Sequence, residues 1–287
     1  MSIVEKLKDM FRLIKPNLTF MVVISSVIGY LIASKGPVNL WLPLLVFIGG
    51  VMVTGSANAI NQILEIDTDA IMTRTQTRPL PQNRLSKAEA WAFALVVGIT
   101  GVVLFGMVFN WLAAGISFIS LLIYAFAYTP LKRISPIAVF VGAFPGAFPP
   151  LIGWTAASGS LELGAWVLFS LQFFWQFPHF WAIGWLAYDD YTAAGMKMLP
   201  SAEGKTRFTG IQCMLYSIVL IPMPLLARME GFVGNMGVII AIVLGFIYFL
   251  AAVNFFVKNN DKAARQLMYT SFFYLPLTLL ALLIDKI

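Results

Sequence analysis

Apolar stretches of roughly 18–22 residues recur eight or nine times along this chain of 287 residues, and each is about long enough to cross a bilayer as a helix. No soluble core has room for so many. Lipid offers no water to open backbone groups, so stretches of this length must be helices that satisfy themselves. The predicted fold class is an all-α polytopic membrane protein, a single integral-membrane domain over 1–287. The spans fall near 17–35, 41–62, 88–108, 110–128, 136–157, 163–186, 208–227, 235–256 and 267–284. The fifth, IAVFVGAFPGAFPPLIGWTAA, carries Pro145, Pro149 and Pro150 and is expected to kink. Its Gly142 and Gly146 form a GxxxG, which predicts close approach of another helix.

Charge tests that count. With nine transmembrane helices and a cytoplasmic N-terminus, sixteen of the nineteen Lys and Arg residues lie inside, leaving Lys35, Arg228 and Lys286 outside. The C-terminus is then external. The net charge of +6 is thus a topological signal, and a nucleic-acid partner is not expected. One cysteine, Cys213, excludes an intramolecular disulfide and a thiolate metal cluster. The opening MSIVEKLKDMFRLIKPN lacks the apolar core and cleavage site of a secretory signal. Its Ile3, Val4, Leu7, Met10, Phe11 and Ile14 recur at helical spacing, so residues 1–16 are predicted as a short helix in the membrane interface.

Against this background NQILEIDTDAIMTRTQTRPLP, 61–81, is out of character. Asn61, Glu65 and Asp69 are spaced i, i+4, i+8 and stack on one helical face, while Asp67 points elsewhere. Hard oxygen donors so placed suit Mg2+, which combines a few carboxylates with substrate phosphate. Arg74 and Arg78 are also four apart, and guanidinium forks match phosphate oxygens. Together they describe a diphosphate site; the plainer alternative is a solvated loop whose charges pair among themselves. Two further loops open on the same side. One is YDDYTAAGMKMLPSAEGKTRF, with Asp189, Asp190, Lys197, Lys205 and Arg207. The other is YAFAYTPLKR, with Tyr128 and Lys132 four apart, where Lys132 and Arg133 alone would serve as topology anchors. The stretch FFWQFPHFWAIGW holds the only histidine, His179, which a helix–helix hydrogen bond would explain. Its aromatic rings run through mid-span, and their π faces could shield a carbocation left by departing diphosphate.

These residues resemble the UbiA superfamily of intramembrane prenyltransferases. The first motif is present as Asn61, Glu65, Asp67, Asp69, Met72, Arg74, Thr75, Arg78, Pro79 and Leu80, with Glu65 where the superfamily usually has Asp. The likeness continues through YTPLKR, GAFPGAFPPLIGW, QFPHFW, DDYTAAGMKMLP and YLPLTLLALL. In the second motif Asp190 stands alone, with Leu186 four residues before it. FPPLIGW with PHFW resembles the haem-modifying branch. That resemblance implies transfer of a farnesyl group from farnesyl diphosphate to a vinyl group of haem B. It further implies Mg2+ held by Asn61, Glu65, Asp69 and Asp190, and leaving-group charge stabilised by Arg74, Arg78, Lys132 and Arg207 beside Tyr128. Under it, His179 orients or ligates the haem. A sister enzyme with a hydroxybenzoate-like acceptor, and a transporter whose acids bind a coupling ion, are the alternatives. The chain is expected in a bacterial inner membrane, with downstream haem-modifying or oxidase-assembly proteins as partners.

Overall fold

The computed structural model describes residues 3–287. A short amphipathic helix, α1 (Ile3–Leu13), precedes α2 (Pro16–Ala33), α3 (Trp41–Leu64), the single turn and a half of α4 (Ile66–Ile71) and α5 (Lys87–Val108). Next, α6 (Trp111–Leu122) runs without a break through a π-helical turn (Ile123–Tyr128) into α7 (Thr129–Ile134). Then come α8 (Ala138–Ser158), α9 (Leu163–Leu186), α10 (Tyr188–Ala193), α11 (Arg207–Val219), α12 (Pro224–Met229), α13 (Asn235–Lys258) and α14 (Asp261–Ile284). Among the described residues the only β feature is an isolated bridge between Val233 and Lys286. Eight helical segments are long and apolar enough to cross a membrane. Helix α9 matches them in length with 24 residues, but Gln172, Gln176, Pro178 and His179 dilute its apolarity.

Helices α2 and α8 meet backbone to backbone, because Gly153 lies against the Ser26 carbonyl and Gly29 against that of Pro150. The predicted GxxxG works differently. Gly142 makes room for the Tyr128 ring and Gly146 for the Gln176 amide, so side chains rather than a helix backbone fill the notch. Nor do the three prolines end α8. Each removes a backbone N–H and frees the carbonyl four residues before it. Gln172 Nε2 donates to the Gly146 carbonyl freed by Pro150 (2.7 Å), and Ser120 Oγ to the Pro145 carbonyl freed by Pro149 (3.4 Å). Neighbouring helices thus replace two of the three bonds the prolines take away.

Helix α1 turns Ile3, Val4, Leu7 and Phe11 outward and buries Asp9 and Leu13. Asp9 is clamped by Arg84 Nε (2.8 Å) and by Arg12 (3.0 Å). Burial pushes this carboxyl up, but Arg84 and Arg12 outweigh it and hold it below its usual value. Arg84 closes the loop that carries Arg74 and Arg78, so its bond to Asp9 lets α1 brace that loop.

Candidate active site

Helix α3 formally ends at Leu64, yet its register continues. Glu65 N–H donates to the Asn61 carbonyl (3.0 Å) and Asp69 N–H to that of Glu65 (2.7 Å). Asn61, Glu65 and Asp69 therefore share one face, as the spacing predicts, and all three are buried, whereas Asp67 is exposed. Burying acids in an apolar bundle requires counter-charge. Lys132 Nζ donates to Glu65 Oε1 (2.9 Å), and Arg78 Nη1 to Asp69 Oδ2 (2.6 Å). Lys15 Nζ donates to Asn61 Oδ1 (2.8 Å). The other Asp69 oxygen, Oδ1, is buried with no hydrogen-bond partner.

Lys132 reaches Glu65 through the π-helical turn. Thr129 N–H bonds the Tyr124 carbonyl, five residues back, and Thr129 Oγ1 donates to the same carbonyl (2.8 Å). Pro130, with no N–H of its own, follows directly. Such π turns are frequent at functional sites. The Thr129 hydroxyl has one proton, and it goes to Tyr124. Its oxygen must therefore accept from Asn61 Nδ2 (3.1 Å), which fixes the amide with Oδ1 toward Lys15. The Tyr128 ring lies under Lys132 Nζ, 4.5 Å from its centroid.

Lys15 is a site residue that sequence reasoning missed. Its backbone is left-handed (φ 51°), and the turn is gripped from α3 by Asn58 Nδ2 on the Ile14 carbonyl and Gln62 Nε2 on that of Leu13. The Lys-Pro junction after an amphipathic helix was the available signal. Burial, then the charges of Arg78 and Lys132, push the Lys15 amine down to about 7, against the pull of Glu65 and Asp69.

The three predicted loops do meet. Thr73 N–H points at Asp190 Oδ1 (3.4 Å), Arg74 stacks on the Tyr191 ring (4.5 Å), and Lys197 N–H bonds the Lys132 carbonyl (2.7 Å). Several expected positions differ, however. Residues 72–86 are turns, so Arg74 and Arg78 do not stack on a helix; Arg78 turns in to Asp69 and Arg74 out to α10. Asp190 does not join the row: among the described residues no three His, Cys, Asp or Glu side chains gather around one point. Each acid is bound by a donor of its own instead. Arg207 is exposed at the start of α11, and among the described residues no hydrogen bond or ion pair ties it to the site. The Phe169, Phe173 and Phe177 rings pack on one another and on Phe140, Phe144 and Tyr216. The aromatics beside the charges are Tyr124, Tyr128 and Tyr191.

His179 lies between α9 and α14. Its Nδ1 is 2.7 Å from Ser271 Oγ, whose single proton goes to the Met268 carbonyl (2.5 Å). The Ser271 oxygen must then accept, so the imidazole proton sits on Nδ1 and Nε2 keeps a bare lone pair. Trp175 stacks on the ring (4.8 Å), and Phe180 and Phe272 meet it edge-on.

Residues 22–276 match the UbiA prenyltransferase family. The chain is 44% identical to a protoheme IX farnesyltransferase of Cytophaga hutchinsonii, covering 96% of this chain and 97% of that one. It is 39% identical to one from Flavobacterium johnsoniae, over 100% and 97% of the two lengths. In fold it is similar to digeranylgeranylglyceryl phosphate synthase (TM-score 0.78, 23% identity, 98% of both chains). A UbiA homologue from Archaeoglobus fulgidus, solved with GPP and Mg2+, aligns at TM-score 0.70 with 14% identity over 96% of this chain and 99% of that one. The chain belongs to the UbiA prenyltransferase family.

Proposed function

We propose that this enzyme transfers the farnesyl group of farnesyl diphosphate to a vinyl group of haem B, giving haem O and diphosphate. The observation that carries the reading is the buried row Asn61–Glu65–Asp69, each member met by a basic side chain. Near-full-length likeness to relatives named protoheme IX farnesyltransferase supports the choice of acceptor.

The donors fit Mg2+: all are hard oxygens, and Asp69 Oδ1 is buried and unpartnered. Asn61, Glu65 and Asp69 would hold it. When bound, Mg2+ would neutralise charge on the diphosphate. Arg78, Lys132 and Arg74 donate hydrogen bonds to the leaving oxygens as their charge grows. The allylic C–O bond breaks with its electron pair on diphosphate, and the vinyl π pair bonds to the farnesyl carbon. Water adds to the cation this leaves on the vinyl group and loses a proton, leaving a hydroxyl. The tyrosine rings beside Lys132 offer π faces suited to the transient cation. His179, with Nε2 bare, would hold the haem iron. The basic loops face the cytoplasm of a bacterial inner membrane in this reading.

The test is the purified protein with farnesyl diphosphate, Mg2+ and either haem B or 4-hydroxybenzoate. Haem O and free diphosphate are expected from the first pair and nothing after chelation. Product with the phenolic acid alone would replace the acceptor; uptake into proteoliposomes without diphosphate release would replace the chemistry.

A further inference from the structure

Glu65 and Asp69 are carboxylates with two oxygens apiece, whereas the Asn61 amide has one. The carboxylates can keep their cation on one oxygen and offer the other; Asp69 already does so, with Oδ2 on Arg78 and Oδ1 free. Asn61 has no such freedom. Its Nδ2 is committed to Thr129, so the oxygen is aimed at Lys15 and cannot turn away. A metal ion on that oxygen would sit within a few ångströms of the Lys15 amine and repel its charged form. Lys15 is moreover held in place against local preference, in a left-handed turn tied to α3 by Asn58 and Gln62. Its side chain alone is free to swing, with four flexible methylenes and three donors.

The geometry points to Lys15 as a removable placeholder: its amine occupies the Asn61 oxygen until a metal-bound diphosphate arrives, then moves onto that diphosphate. The site would thereby bind metal poorly alone and well only with the anion. This rests on the diphosphate reading above.

Two titrations of the full-length protein in detergent test it. One follows Mn2+ alone by loss of the free-ion EPR signal; the other follows inorganic pyrophosphate by calorimetry at saturating Mg2+. Lys15→Met is expected to tighten Mn2+ alone by roughly threefold or more and to weaken pyrophosphate by about tenfold or more. Lys15→Gln, which keeps a neutral donor for Asn61, is expected to shift both constants the same ways and decides the matter should Lys15→Met fail to fold. A merely structural lysine would weaken both ligands, and a lysine that only contacts phosphate would leave Mn2+ unchanged; either result overturns the placeholder. Wild-type protein that fails to bind pyrophosphate with Mg2+ takes down the function reading, and this inference with it.

Discussion

Two buried polar clusters sit in this apolar bundle, and they are built on opposite principles. Around Asn61, Glu65 and Asp69 each residue is held by a separate basic side chain, and Asp69 Oδ1 is left bare. Around His179 the groups are neutral and chained: Trp175 Nε1 donates to the Ser271 carbonyl (2.8 Å), Tyr248 to that of Trp175 (3.2 Å), and Ser271 to Met268. The ionic cluster is costly to leave half-paired, whereas the neutral one loses only a hydrogen bond. Exchangeable cations suit a multiply charged diphosphate leaving group. A single bare nitrogen walled by rings suits a flat apolar acceptor.

The sharpest break of the comparison is Asp69→Ala, expected to cut haem O formation by about a hundredfold or more. The protein should still insert; near wild-type turnover would remove Asp69 from the chemistry. Lys132→Met comes next. It leaves Glu65 buried without its cation, at a cost of about 3 kcal/mol, read as a lower melting temperature in detergent. An unchanged melting point would show that Glu65 finds another partner. His179→Ala should lower stability by about 1 kcal/mol at most while altering the haem absorbance spectrum and weakening haem binding. Unchanged affinity and spectrum would return His179 to helix packing. Asp67→Asn, exposed and off the shared face, should leave activity within about twofold, as an exposed charge contributes little.

Much of this was legible in the chain because hydropathy and helical spacing are local properties. The boundaries 163–186 match α9, and the row at 61, 65 and 69 survives the break in its helix. Helix α14 begins six residues before the apolar stretch 267–284. Asn260 caps α14 through Ala263 N–H, so a polar first turn begins at Asp261 where hydropathy sees only loop. The four-residue spacing of Arg74 and Arg78 does not fix their directions, because it has meaning only on a helix, and Pro79 and Pro81 favour turns. Lys15 was missed for a different reason. Its partner lies 46 residues away, and only the folded turn between α1 and α2 brings the two together.

The π-helical turn at Ile123–Tyr128 also acts as a register shim. It adds one residue to a span that would otherwise wind regularly, and a residue in an α-helix corresponds to about 100° of rotation. Deleting one position there would yield a smoother helix, equally greasy and equally able to insert. Lys132 would then face the wrong quadrant, and Glu65 would lose its counterion although neither residue had been touched.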